Sequence, residues 1–171
     1  MSRRLTLLLF SAAIVFTALY HARKVMATPS QGFMSTTLAL GRFGAMDILN
    51  HLVLPGDKGR IWLSFEKTQG LSDVYVQSNV WQPGGSTGWH SHPGHSLIIV
   101  TAGTVTDYEG NDPNCTPHVY TTGMGFVDAG GNHVHLVRNE GSVMTQTIAL
   151  QTIPADSMRR IDAPDPGNCH F

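Results

Sequence analysis

Residues 88–96 read GWHSHPGHS, and this stretch carries the strongest structural signal in the chain. His90 and His92 are separated by one residue, so in an extended strand both side chains would point to the same face. Two neutral imidazoles in that arrangement can bind one metal ion, each through a single nitrogen at about 2.0–2.1 Å. The stretch therefore predicts part of a metal site on a β-strand.

A second histidine group lies further along the chain, where residues 130–139 read GGNHVHLVRN. Its His135 would lie on a separate strand and can supply a third ligand. Neutral imidazoles on the inner face of a sheet cost free energy unless their nitrogens are satisfied, and a metal ion satisfies them. The two groups together predict a site formed by His90, His92 and His135.

The rest of the chain alternates between short apolar segments and turn residues, which is typical of a β-sandwich or barrel. The strand at residues 74–81 is expected to end at the Pro-Gly-Gly turn of residues 83–85, and no helix of useful length is predicted. A further turn is expected at residues 56–59. The predicted strands are residues 38–48, 60–65, 74–81, 97–102, 104–108, 118–121, 125–127, 133–139 and 144–153.

The composition agrees with one all-β domain, because Gly (18) and Pro (9) are plentiful among the 171 residues and only 13% are charged. The 11 basic and 12 acidic residues give a net charge of -1, so no basic surface can neutralise many phosphates. This excludes nucleic acid as a partner and leaves a small-molecule ligand or substrate.

The N-terminus has the features of a secretory signal. Arg3 and Arg4 precede an apolar run over residues 5–20, and Ala27 provides a small residue for cleavage. As a helix the run spans only about 24 Å, less than the ~30 Å core of a bilayer. We expect residues 1–27 to be a signal peptide, with a membrane anchor as the alternative. The protein would then be exported (periplasmic or extracellular) or held at the membrane, and the paired arginines also allow export in the folded state.

Residues 28–153 are expected to form the barrel domain, and residues 154–171 an irregular C-terminal tail. Cys115 and Cys169 both belong to the exported portion, where an oxidising environment favours a disulfide over two free buried thiols. Such a bridge would pin the tail to the loop that contains Cys115.

Residues 97–100 read LIIV and show no alternation of polar and apolar side chains. A strand of this kind is expected to be covered on both faces. Either an N-terminal strand or a second copy of the chain would form the outer cover, and we expect a homodimer.

The two histidine groups resemble the two sequence motifs of the cupin family. Gly84 is followed after five residues by the His-x-His pair, and Gly103 closes the first motif at the family's spacing. His135 and Asn139 match the end of the second motif, a histidine and an asparagine separated by three residues. The resemblance covers about residues 73–153. It implies an all-β fold of the cupin type, the double-stranded β-helix or jelly-roll barrel.

The second motif is approximate where residues 130–132 read GGN in place of the family's Pro-x-Gly turn, and one departure in the first motif bears on the metal ligands. Where the family has a glutamate ligand, this chain has Ser96, or Leu97 under the longer spacing, and neither replaces a carboxylate. What remains is similar to the three-histidine site of the family's thiol dioxygenases and diketone-cleaving dioxygenases, with His90, His92 and His135 as the ligands.

Two further histidines are candidate ligands. His95 would need a bulge at residues 93–94 to turn toward the first pair, and His133 lies close to the glycine turn. The spacing of the first group also partly resembles the metallo-β-lactamase motif. Gly94 stands where that motif has aspartate, however, and the chain is too short for that fold.

Three neutral ligands leave a bound dication its full charge, which acidifies a bound water and attracts anionic ligands. Divalent Fe, Zn, Mn, Ni or Cu could occupy such a site. Two functions are consistent with the sequence. The first is a metal-binding cupin that binds a small ligand in the barrel without catalysis, and the second is a dioxygenase acting on a small thiol or a diketone-like substrate. The sequence assigns no residue to catalysis, so the catalytic residues of the second function are unknown.

Overall fold

The computed structural model describes residues 27–53 and 60–171. The predicted signal segment, up to residue 26, and the predicted turn at residues 56–59 lie outside these ranges. The described residues form strands and no helix, and they include no helix with the length and apolar character needed to span a membrane. The strands are β1 (Gln31–Phe43), β2 (Asp47–Val53), β3 (Ile61–Lys67), β4 (Ser72–Ser86), β5 (His90–Ser91), β6 (Ser96–Ala102), β7 (Thr104–Glu109), β8 (His118–Thr121), β9 (Gly125–Asp128), β10 (His135–Arg138), β11 (Thr145–Pro154) and β12 (Ile161–Asp162).

Ten of these strands form one antiparallel sheet that curls into a nearly closed barrel. The strand order is β12-β5-β10-β4-β11-β6-β9, with β1 paired to β4, β7 paired to β10 and β8 paired to β7. Strand β4 is the central strand of the sheet, because its length lets it pair with β1, β11 and β10. The predicted all-β barrel is therefore confirmed. Strands β2 and β3 form a separate hairpin.

The barrel interior is built from side chains that alternate along each strand. Ile98 and Val100 on β6 are buried, whereas Leu97 and Ile99, which alternate with them along the strand, face outward. The buried apolar side chains form two clusters, and each side chain of this size contributes about 1.5–3 kcal/mol when it leaves water. One cluster contains Trp81, Ile98, Val100, Val105, Phe126, Val137 and Ala149, and the other contains Trp89, Tyr108, Leu136, Ala163 and Cys169.

Strand β4 does not end at the Pro-Gly-Gly turn, so that expectation is wrong. The Gly84 N–H donates to the Asn139 carbonyl, and the Asn139 N–H donates to the Gly85 carbonyl, both over 2.9 Å. Gly84 has a φ of +74°, a left-handed conformation that glycine adopts without strain. This kink redirects the strand from β11 to β10, where Ser86 pairs with Arg138.

The predicted single strand at residues 38–48 is also wrong, because the structure divides it into β1 and β2. Strand β1 begins earlier, at Gln31, and pairs along β4. Residues 44–46 then leave the barrel, and β2 continues into the separate hairpin.

The C-terminal tail returns to the barrel. The predicted disulfide between Cys115 and Cys169 is present. The tail also contains β12, which pairs with β5 and places Asp162 opposite His90. The Ala163 N–H donates to the Trp89 carbonyl over 3.0 Å. The segment that was expected to be irregular therefore forms part of the wall around the first histidine pair.

The outer face of β6 is not covered by the described residues. Leu97 is 47% exposed and Ile99 is 54% exposed. Strand β1 lies in the plane of the sheet beside β4 and does not cover β6. An N-terminal strand therefore does not cover this face among the described residues. A second copy of the chain, the other alternative, stays a prediction.

Candidate metal centre

Three histidines from two adjoining strands meet inside the barrel. His90 lies on β5 and pairs directly with His135, the first residue of β10, while His92 follows β5. One ring nitrogen from each histidine lies within 4.8 Å of those of the other two. His90 and His135 are almost fully buried. The expected grouping of these three side chains is therefore present, on neighbouring strands as the sequence pattern indicated.

Each of the three rings is held through its Nδ1 atom by an oxygen that can only accept a hydrogen bond. In the neutral form of each ring, this places the ring proton on Nδ1 and leaves the lone pair of Nε2 free. His92 Nδ1 also lies 2.9 Å from Gln151 Nε2, whose own acceptor is the Arg159 carbonyl at 3.2 Å. The Nδ1 acceptors are the Gly88 carbonyl for His90 at 2.9 Å, the Arg159 carbonyl for His92 at 2.5 Å and Asp107 Oδ1 for His135 at 3.0 Å.

The Nε2 atom of His135 is buried and has no hydrogen-bond partner among residues 27–53 and 60–171. An unsatisfied buried acceptor normally costs about 1–3 kcal/mol. A divalent metal ion is the group that a cluster of neutral imidazole nitrogens fits best, because each nitrogen can donate its lone pair to the ion. The donor set therefore fits a divalent metal, and imidazole alone does not select which metal.

Burial and nearby charges shift the pKa values of the three histidines in different directions. Burial lowers the pKa of His90 and of His92 below the usual value, so both rings remain neutral. Burial also acts to lower the pKa of His135, but the hydrogen bond to Asp107 and the neighbouring carboxylates outweigh it and raise that pKa. A metal ion therefore competes with a proton mainly at His135.

The two additional candidate ligands lie outside this cluster. His133 lies in the turn before β10, where its Nε2 pairs with Glu109 and its Nδ1 lies 3.4 Å from Asp128 Oδ1. His95 faces a second cavity, between the hairpin and the barrel. Its backbone carbonyl accepts from the Thr152 N–H over 2.9 Å.

A buried carboxylate that the motifs did not indicate lies beside the cluster. Ser96, at the position of the family's glutamate, pairs in register with Asp128 on β9. Asp128 is 1% exposed, and its Oδ2 lies 3.4 Å from Ser96 Oγ and 3.8 Å from His92 Nε2. The signal for Asp128 lies in strand pairing rather than in local spacing, so sequence reasoning missed it.

The loop after His92 packs tightly against β11. A β carbon on Gly94 would collide with the Thr152 carbonyl, so only glycine permits this approach. Asn139, the last residue of the second motif, is fully buried and donates from its side chain to the Trp81, Gln82 and Val143 carbonyls. Its place is in the backbone network and not in the histidine cluster.

The three histidines open onto a cavity of about 280 Å³. Its apolar wall comes from the barrel interior, and two tail residues, Arg159 and Arg160, add cationic side chains that sequence reasoning also missed. The wall includes Phe33, Trp81, Ile98, Phe126 and Val137, together with the amides of Gln77, Asn79 and Gln151. The volume suits a small organic ligand.

The curled antiparallel sheet and the three-histidine cluster define an all-β barrel with a site that fits a divalent metal. Solved structures similar to this chain include a cupin-domain protein from Bordetella pertussis, which is 17% identical with a TM-score of 0.44, and the match covers 74% of this chain and 97% of that one. A cupin superfamily protein from Desulfitobacterium hafniense is 11% identical with a TM-score of 0.44, covering 75% of this chain and 83% of that one.

An oxalate oxidase in complex with glycolate is also similar, at 22% identity and a TM-score of 0.41. That match covers 46% of this chain and 41% of the oxalate oxidase, so the chain spans less than half of that protein. No family model matches the sequence, and no curated protein matches it.

Proposed function

We propose that the protein is a metal-binding cupin that binds a small ligand at a divalent transition metal held by His90, His92 and His135. The observation that carries the proposal is the shared hydrogen-bond pattern of the three rings, in which every Nδ1 has an acceptor. That pattern leaves three Nε2 lone pairs available in a cluster whose ligand atoms lie within 4.8 Å of one another, and the buried Nε2 of His135 has no hydrogen-bond partner among the described residues.

A bound divalent ion would supply Lewis acidity and a positive charge. The three ligands are imidazoles and not carboxylates, so they would not offset that charge. Residues of the chain orient the three imidazole ligands and shape the cavity for a small ligand beside the ion. Asp107 and the Arg159 carbonyl fix the ring orientations of His135 and His92, and apolar side chains line part of the cavity beside them.

Metal titration tests this proposal. The purified protein, stripped with a chelator, is titrated with Zn²⁺ and with Co²⁺, and bound metal is counted after desalting. We expect one tightly bound ion per chain, and loss of most of the affinity in His90→Ala and in His135→Ala. His118→Ala is the matched control, because His118 is exposed on β8. Full metal retention in both site variants would refute the site.

The alternative function is a dioxygenase acting on a small thiol or diketone-like substrate. The open volume directly beside the three histidines supports it, since a reactant could reach a metal held there. The assay is O₂ consumption by Fe²⁺-loaded protein under reducing conditions, with a panel of thiols and β-diketones. Uptake that depends on substrate and is lost in His135→Ala would establish an enzyme, and ligand binding without uptake would support the binding function.

We also propose that the protein is exported and acts as a homodimer. The disulfide between Cys115 and Cys169 is consistent with an oxidising, exported location. The exposed apolar side chains on the outer face of β6 and β9, which are Leu97, Ile99 and Val127, support contact with a second copy.

A further inference from the structure

Arg159 differs from the other cations described along the barrel in having no carboxylate partner. The guanidinium groups of Arg42, Arg138 and Arg160 each lie within 3.7 Å of an aspartate or glutamate oxygen. Within residues 27–53 and 60–171, no such oxygen lies within ion-pair distance of Arg159, and burial lowers its pKa. A half-buried cation that has left water without a counter-charge is costly.

The contacts of this guanidinium place it at the mouth of the histidine cavity. It lies over the ring of Tyr75 at 4.2 Å, its Nη1 donates to Thr37 Oγ1 over 2.8 Å, and its Nε donates to Gln151 Oε1 over 3.3 Å. These neutral partners hold the group in position but do not offset its charge. No hydrogen bond is present at Nη2 among the described residues, so this atom can bind a ligand.

Residue 159 contacts the metal centre in two ways, through its backbone carbonyl and through the side chain of Gln151. Its carbonyl accepts the hydrogen bond from His92 Nδ1. The fully buried amide of Gln151 lies between the two side chains, since its Nε2 is 2.9 Å from His92 Nδ1 and its Oε1 contacts Arg159 Nε. An anion that pairs with Arg159 is therefore held on the His92 side of the cavity.

The remaining wall decides what kind of anion fits. Phe33, Trp81, Ile98 and Phe126 give the cavity an apolar lining that a small inorganic anion would leave in contact with water. Arg160 also lines the cavity, but Asp162 already balances its charge. Asp128 also lines the cavity, and its carboxylate accepts from the Gly130 N–H over 2.9 Å and from Ser96 Oγ over 3.4 Å. The site therefore offers one guanidinium with no carboxylate within ion-pair distance among the described residues, one cluster fit for a metal, and an apolar wall.

We propose that the cavity binds a small organic carboxylate whose carboxyl group pairs with Arg159 and whose apolar body packs on the barrel wall next to the histidine cluster. This inference rests on the proposed function, in that it names the class of ligand for the same cavity. A planar guanidinium matches a carboxylate well because its N–H groups can bind both oxygens.

Isothermal titration of the Zn²⁺-loaded, full-length protein tests the inference, with benzoate and propionate as probes, benzamide as the neutral isostere and inorganic phosphate as the competing anion. We expect a carboxylate to bind at least 10-fold more tightly than benzamide or phosphate. In Arg159→Gln the carboxylate affinity should fall about 10- to 100-fold, with Arg159→Lys intermediate. Arg138→Gln, which removes the same charge away from the cavity, should leave the affinity unchanged.

The zinc content of each sample separates the two proposals, since the carbonyl that holds His92 is kept in every Arg159 variant. Equal carboxylate affinity in wild type and Arg159→Gln, with zinc retained in both, overturns the inference and leaves the metal site standing. Phosphate or benzamide binding as tightly as the carboxylates also overturns it. If the wild type retains no zinc, the proposed function fails, while carboxylate binding that is lost in Arg159→Gln would still support the inference.

Discussion

The Nδ1 atom of His135 donates a hydrogen bond to Asp107 Oδ1 over 3.0 Å, and both side chains are buried. The two residues lie on paired strands, because Asp107 on β7 is opposite Val137 on β10. The contact fixes the ring of His135 and makes its other nitrogen a better metal ligand.

Replacing Asp107 by Asn should therefore weaken metal binding while keeping the shape of the side chain. We expect the affinity for Zn²⁺ to fall about 10- to 100-fold, measured by competition with a chromophoric chelator. Asp47→Asn is the matched control, since Asp47 lies on the hairpin and pairs with Lys67. Equal affinities for the two variants would show that Asp107 does not tune the site.

The metal-free protein should lose stability as the pH falls below about 6.5, the ordinary pKa of histidine. His90 and His92 have lowered pKa values, so the unfolded chain takes up protons that the folded chain does not. A group whose pKa lies well below that range removes at most about 1.4 kcal/mol of unfolding free energy per pH unit, and His90, the more deeply buried of the two, approaches that limit. His135 acts with the opposite sign, because a raised pKa contributes stability that is fully present below the pKa of the unfolded chain and is lost as the pH rises.

Urea unfolding at pH 6.5, 5.75 and 5.0 measures how the unfolding free energy changes with pH, in a range above the pH at which most carboxylates titrate. The slope should be smaller in His90→Gln than in wild type, and unchanged in His118→Gln. An identical slope in wild type and His90→Gln would contradict the assignment of His90 as a buried neutral group.

The disulfide should support the site through the tail. Cys115→Ser combined with Cys169→Ser removes a cross-link across 54 residues, which constrains the unfolded chain by about 4 kcal/mol in the entropy model. Because the released tail carries the Arg159 carbonyl that holds His92, we expect weaker zinc binding as well as a lower Tm. The double variant is measured at a temperature where it stays folded. An unchanged zinc affinity would then contradict the claim that the cross-linked tail supports the metal site.

The outer face of β6 should mediate the proposed dimer. Light scattering after size exclusion is expected to give twice the chain mass for wild type, and the mass of one chain for Leu97→Lys with Ile99→Lys. Val143→Lys is the control, because this side chain is 63% exposed in the loop before β11. A wild-type protein that is monomeric at all concentrations would contradict the dimer.

Local sequence patterns predicted the strands and the histidine cluster, because both depend on the two-residue period of a strand and on nearby turns. The predicted strand at residues 118–121 coincides with β8, and His90 and His92 meet His135 as expected. These features need only short-range information, which a single sequence contains.

Asp107, Asp128 and Arg159 could not be found in the same way. Asp128 reaches the site because β9 pairs with β6, and Arg159 reaches it because β12 returns to β5. Both pairings join segments distant in sequence, and no motif or local periodicity specifies their register. The path of β4 through Gly84 was missed for the same reason, since its hydrogen bonds go to Asn139.

The central claim is that the Nε2 atoms of His90, His92 and His135 hold one metal ion. Anomalous diffraction at the zinc edge, from crystals of the Zn²⁺-loaded protein, tests it most directly. The account predicts a single strong peak inside the barrel at about 2.0–2.1 Å from all three Nε2 atoms. A peak at His95 or His133 instead, or no peak near the three histidines in protein that binds zinc in solution, would contradict it.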